Sequence, residues 1–412
     1  MTRLPGLFVL AAAGASCAGP DHTNVPSPPT TSTSPVSSAA PAALAPSFSD
    51  DVAFLSKYGA VHVLEAPSGA RVALSAKYQG RVMTSAIDPS GKSFGWINRD
   101  YIASGKTGTQ FDNYGGEDRF WLGPEAGQYG LYFAPGKPFA FEGWQVPAAL
   151  QEGAWEMPEA TPSRAVFKKK MTLTNWSGTS FTVAVERTVS LVDVPAADGV
   201  RGVAFETVNR IVNEGKAPWK RDGGLLSIWI LAMYAPSPDS RVVAPFETAA
   251  PAGAPIVNDA YFGKVAPSRL AVHEDRGFLV FTADGKERGK IGLGPARAKP
   301  TLGSYSAQAK LLTVVQYDKP KGAPPYVNSM WEQQKAPYAG DVVNSYNDGP
   351  PAPGKPPLGG FYELETSSPG AELAPGQSLV HTHRTFHFVG EASGLEPLAK
   401  KMLGVSLADI TK

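Results

Sequence analysis

A single cysteine, Cys17, excludes an intramolecular disulfide framework, so packing and hydrogen bonding must hold the fold. Charge of one sign is missing as well. The 412 residues carry 38 Lys and Arg against 37 Asp and Glu, which removes the electrostatic footprint of a nucleic-acid binder and favours a neutral partner. The sequence shows no fixed-period repeat, which argues against a propeller or solenoid. The one apolar run near the start, Leu7 to Ala13, is too short to cross a bilayer. Histidine is scarce at six residues, and His381, His383 and His387 fall on one short line.

Glycine (43) and proline (38) are plentiful and aromatics make up a tenth of the chain, a balance that favours short strands joined by tight turns. Strand patterns run from Val61 to Ala66, Arg71 to Tyr78, Arg81 to Ile87, Tyr129 to Phe133, Ala165 to Thr174, Phe181 to Val192 and Val203 to Val212. They continue from Leu225 to Met233, Leu270 to His273, Phe278 to Thr282 and Leu311 to Tyr317. Asn175 to Gly178 and Glu274 to Gly277 read as hairpin turns. Helix is confined to a short segment capped by Ser49-Asp50-Asp51 and to Leu395 to Leu403. One large all-β domain is expected.

The first 46 residues read differently. Arg3 gives a positive start, the apolar run follows, and small residues Gly14, Ala15 and Ser16 precede Cys17, the pattern of a secretory signal. It resembles a bacterial lipobox, which implies lipidation of Cys17, an anchor to a membrane, and a cell-envelope location facing the periplasm or exterior. An ordinary cleaved signal with an incidental cysteine is the alternative. Residues 18–46, rich in Pro, Ser, Thr and Ala, cannot bury enough to order themselves and read as a tether. The expected organisation is therefore signal 1–17, tether 18–46 and folded domain 47–412.

Carboxylates and histidines concentrate between Phe361 and Phe388. On a strand through Glu363-Leu364-Glu365-Thr366 the two glutamates share a face, with Tyr362 and Leu364 on the other. After turns at Pro369-Gly370 and Pro375-Gly376, a returning strand puts His381, His383, Thr385 and His387 on one face, with Arg384, Phe386 and Phe388 opposite.

Glu363 to Thr366 followed by Leu373-Ala374-Pro375-Gly376-Gln377-Ser378 resembles the aldose 1-epimerase segment that bears the catalytic base. Gly115 to Glu125 and Gly340 to Pro350 resemble segments of bacterial lipoproteins of the galactose mutarotase-like superfamily. This resemblance implies a galactose mutarotase-like β-supersandwich with short terminal helices, carbohydrate as the ligand, and Glu365 as base. Those enzymes use a central-strand histidine as the acid. The comparable region, Val208 to Trp229, has none, with Ser227 and Trp229 standing there instead.

Anomer interconversion needs a base for the anomeric hydroxyl and an acid for the ring oxygen. With Glu365 as base, the acid is sought in His381 or His383, then Asp118 or Asp348. A glycosidase would need two carboxylates across the bond. Glu363 and Glu365, roughly 6.7 Å apart along one strand face, approach from one side, so Glu117, Asp118 or Asp348 would have to complete such a pair. Aromatic rings suit the apolar face of a pyranose, and at most two of Trp121, Trp144, Trp229, Trp331 and Tyr346 are expected to touch ligand, with Arg119, Gln128, Asn344 and Asn347 meeting hydroxyls. His381-x-His383 has metal-clasp spacing, but a hydrogen-bonded strand face is the commoner use, and no metal or cofactor is expected. The alternatives to an epimerase are a non-catalytic carbohydrate-binding lipoprotein and a glycoside-cleaving enzyme.

Overall fold

The computed structural model describes residues 46–322 and 324–412, so the expected signal, Cys17 and nearly all of the expected tether lie outside the described residues. Ser47, rather than Ser49, caps helix α1 (Phe48–Ser56) in a reciprocal capping box with Asp50, which sets Phe48 and Leu55 inward. Three sheets follow. The first joins β1 (His62–Glu65), β2 (Arg71–Ser75) and β3 (Arg81–Ala86), with β4 (Arg119–Gly123) beginning another after the short helix α2 (Arg99–Ser104). After α3 (Ala148–Gln151) come β5 (Glu156–Ala160), β6 (Arg164–Thr174), β7 (Ser180–Leu191), β8 (Arg201–Asn213), β9 (Ser227–Tyr234), β10 (Arg241–Pro245), β11 (Leu270–His273) and β12 (Phe278–Thr282). The remaining strands are β13 (Gly289–Leu293), β14 (Thr301–Ser306), β15 (Leu311–Tyr317), β16 (Val343–Asn347), β17 (Tyr362–Ser367) and β18 (Ser378–Val389), closed by α4 (Ala392–Leu403) and α5 (Leu407–Thr411).

Ten strands form a long antiparallel sheet in the order β11-β12-β10-β14-β15-β18-β8-β7-β6-β5, and five form a second, β13-β16-β17-β9-β4. Both expected hairpins are present, joining β6 to β7 and β11 to β12. The fold is all-β with short terminal helices, as the composition implies. Tyr129 to Phe133, expected as a strand, makes only one bridge, from Phe133 to Trp144, because it folds back on Pro124 and Glu125, whose carbonyls accept from Leu131 and Tyr132 N–H. Strands β4, β5, β10, β13, β14 and β16 escaped the sequence pattern; β5 is exposed throughout, β13 and β14 contain glycine, and β16 is polar at Asn344, Ser345 and Asn347 yet fully buried. No helix of the described residues is long and apolar enough to cross a membrane.

The two larger sheets face each other through a polar layer. Thr366 of β17 meets His381 Nε2 (2.8 Å) and His383 Nδ1 (2.9 Å) of β18 through its hydroxyl. His387 pairs with Glu117 at 2.8 Å, and Arg187 of β7 donates to Asp118 at 2.6 Å, all four side chains having no solvent exposure. On the far side of β18, Phe386 and Phe388 pack in one cluster with Leu395, Leu398 and Leu403 of α4. That layer fixes which face of the five-stranded sheet is turned toward the long sheet and which is turned away from it.

Candidate functional site

The outer face of the five-stranded sheet is built by strand alternation. Cross-strand pairing aligns Lys290, Tyr346, Glu363 and Met233 in one row. The next row on the same face is Gly292, Asn344, Glu365, Leu231 and Arg119, and a third carries Trp229 beside Trp121. Gly115 and Gly116, at φ +80° and +115°, set up β4. A Cβ on Gly115 would lie 2.2 Å from the Trp96 carbonyl oxygen, so only glycine permits the approach that delivers Glu117, Asp118 and Arg119 in register.

Over this face lies a cavity of about 370 Å³, near the lower end of the usual small-molecule range. Its walls are aromatic: Trp121, Trp144, Trp229, Trp331 and Tyr346 all line it. Trp144 and Trp331 lie nearly parallel at 6.3 Å between ring centres. Its charged groups are Arg119, Glu125, Arg288, Lys290 and Glu363.

Arg119 donates to Glu363 Oε1 at 2.5 Å, with its guanidinium 4.3 Å from the Trp121 ring centre. Its Nε and Nη1 are buried without a partner, as is Trp121 Nε1. Burial pushes the Glu363 carboxyl from its ordinary 4.5 up to about 7; Arg119 opposes that shift and the neighbouring Glu365 charge adds to it. Burial also raises Glu125, whose Oε1 accepts from Trp144 Nε1 at 2.8 Å, with Lys290 and that hydrogen bond opposing. For Lys290, burial alone would lower the pKa, but Glu365, Glu125 and Glu363 together outweigh it and raise the value.

Glu365 sits on the cavity face beneath this surface, with no solvent exposure. Its Oε2 accepts from both Lys290 Nζ and Trp229 Nε1 at 2.9 Å, and its Oε1 has no partner. Lys290, Glu125, Arg288, Phe111 and Phe262 were not singled out from sequence. Lys290 lies on the unrecognised β13, whereas Glu125 was already within the Gly115 to Glu125 motif.

The other candidates lie elsewhere. His381 and His383 stand on the inner side of the sheet, because Thr366, which they meet, follows Glu365 by one residue and points to the opposite face. Burial lowers their pKa values to about 3 and about 4, leaving both neutral at pH 7. Asp118 likewise precedes Arg119 by one residue and turns inward to Arg187 and Thr207. The acid expected from His381, His383 or Asp118 is thus separated from Glu365 by the sheet itself.

Asn344 donates to the Tyr261 hydroxyl at 3.1 Å, and Asn347 holds the turn before β13 through Gly285 and Glu287. Asp348 accepts from the Tyr346 hydroxyl at 2.8 Å and from Gly359 N at 2.7 Å, so it supports the wall without lining the cavity. Gln128 exchanges hydrogen bonds with Gln334 instead of facing the cavity. No described histidine lines the cavity, and no group of three or more metal-ligating residues gathers among the described residues.

A family described as of unknown function, DUF6786, matches residues 46–412. The chain belongs to that family. No curated protein matches it. Among solved structures it is similar to a candidate aldose 1-epimerase from Escherichia coli K12, at 10% identity and a TM-score of 0.47, covering 80% of this chain and 99% of that one. It is also similar to a galactose mutarotase related enzyme from Lactobacillus acidophilus, at 11% identity and a TM-score of 0.45, covering 81% of this chain and 97% of the other. A galactose mutarotase-like protein from Lactobacillus casei matches at 10% identity and a TM-score of 0.45, covering 80% and 100% of the respective chains.

Proposed function

We propose that this DUF6786 member binds a pyranose carbohydrate in the aromatic cavity and interconverts its anomers, with Glu363 exchanging the proton of the anomeric hydroxyl. The observation that carries this reading is one cavity holding four tryptophans together with a carboxyl raised to about 7. Aromatic faces take the apolar side of a sugar ring, and the unpartnered donors of Arg119 and Trp121 suit its hydroxyls. A group with a pKa near the working pH is the efficient choice for proton exchange, worth roughly 10² to 10⁴ in rate.

Glu363 replaces Glu365 as the proposed base because Glu365 is covered and engaged by Lys290 and Trp229. Glu365 then acts by positioning those two side chains. Glu125, held above the usual carboxyl range, is the proposed acid toward the ring oxygen. Two raised carboxyls on one cavity also favour glycoside cleavage as a second reading, and that outcome would release a reducing sugar.

Two-dimensional exchange NMR on a panel of aldoses tests the proposal. Exchange between α and β anomers above the buffer rate, lost in Glu363→Gln, supports it; exchange unchanged in that variant removes Glu363 from the reaction. We further propose, from the lipobox-like pattern ahead of the family match, that the protein is exported and anchored through lipid on Cys17. Mass spectrometry of the membrane-extracted chain would show an acylated Cys17, and an unmodified cysteine would refute the anchor.

A further inference from the structure

The mouth of the cavity is more apolar than a single sugar ring requires. Among the described residues five large hydrophobic side chains are exposed, and three of them, Phe141 (47%), Phe262 (36%) and Leu358 (45%), stand on this one rim. They come from three separate loops, and hydrogen bonds hold the backbone at Phe141 and Leu358 and the side chain of Tyr261 beside Phe262. Gln110 Nε2 donates to the carbonyls of Phe141 (2.6 Å) and Trp144 (3.0 Å), fixing the short turn that bears Phe141. Asn113 Nδ2 donates to the Leu358 carbonyl at 3.0 Å. The Tyr261 hydroxyl, next to Phe262, is held by Asp341 and Asn344. Such preorganised exposed apolar groups cost solvation in the free protein and little ordering on binding.

Resting on the carbohydrate reading above, we propose that the ligand is an oligosaccharide, with one terminal ring in the cavity and the next ring or rings lying across Phe141, Phe262 and Leu358. The rim runs directly into the cavity wall, since the Phe262 ring lies 5.8 Å from Tyr346 and 6.5 Å from Trp331 between centres. Polar groups alternate with the apolar ones. The Arg288 guanidinium lies 3.8 Å from the Phe262 ring centre and hydrogen-bonds the Tyr346 hydroxyl, and with five N–H donors it has others left for sugar hydroxyls. Glycan chains present this alternation of apolar ring faces and hydroxyls; a lipid or an apolar peptide would leave Arg288 unmet.

The test is calorimetric titration of the full chain with gluco-, galacto-, manno- and xylo-configured series of one, two and three rings. For the series that binds, affinity should rise roughly three- to tenfold from one ring to two, one added aromatic contact's worth. Phe141→Ser and Leu358→Ser should erase that rise while leaving monosaccharide affinity unchanged. Val380→Ser, at an exposed apolar residue away from the cavity, should leave both unchanged. Monosaccharide binding with no gain for longer chains, or a gain that survives the rim substitutions, overturns the oligosaccharide inference alone. Absence of binding by every sugar in every series overturns the carbohydrate reading and this inference with it.

Discussion

Glu363 is 5% exposed and raised to about 7, so ionising it in the folded chain costs about 3 kcal/mol more than in the unfolded chain, where its value is near 4.5. The sign follows from proton uptake. Between pH 4.5 and 7 the folded state holds more of this proton than the unfolded state, so stability must fall as pH rises through that window. From pH 5 to pH 8 the loss assigned to Glu363 is roughly 2 to 3 kcal/mol. Glu363→Gln removes the titration while keeping an oxygen to accept from Arg119. Urea denaturation of wild type and variant at each pH should therefore show their stability difference moving by that amount in favour of the variant. Parallel stability curves, with a constant offset, would mean that Glu363 ionises in the folded cavity as readily as in water, and the basis for its role in proton exchange would be gone.

Other consequences follow from buried charges. Arg187→Met strands Asp118 without a counter-ion and should cost about 3 to 5 kcal/mol in denaturant melts, much of it recovered when Asp118→Asn is added. Lys290→Met should destabilise by a similar amount by isolating Glu365, with Glu365→Gln as the rescuing second change. His381 and His383 are depressed to about 3 and about 4, so their imidazole proton NMR shifts should stay neutral from pH 8 down to pH 5, and their contribution to stability should fall as pH drops below 6.5 because the unfolded state takes up protons first. Titration of either imidazole near 6.5 would contradict the burial of the polar layer between the sheets.

Much of the fold was legible because alternation is a strong signal. The long strands β6, β7, β8 and β18 alternate clearly enough to be read, and the segregation of His381, His383 and His387 from Phe386 and Phe388 came from alternation alone. What alternation leaves open is which face of a strand meets which neighbour. Glu365 and the β18 histidines were joined into one site because they are close in sequence, yet a one-residue step at Thr366 places a sheet between them. The same one-residue step separates Asp118 from Arg119. Lys290 was hidden for another reason: Gly289 and Gly292 erase the side-chain pattern of its strand, and a Cβ at Gly292 would push aside the Asp341 carboxylate, whose Oδ2 would lie 2.2 Å from it. The tryptophans were found by chemistry, but their convergence on one cavity depends on β4 and β9 pairing Trp121 with Trp229, a register that residue type does not encode.

The most direct test of the central claim is a crystal structure of the chain grown with an aldose that the exchange or titration assays select. A pyranose ring should lie against Trp144 and Trp331 with its anomeric hydroxyl within hydrogen-bond reach of Glu363. A sugar bound only elsewhere, with the cavity holding solvent at saturating ligand, would contradict it.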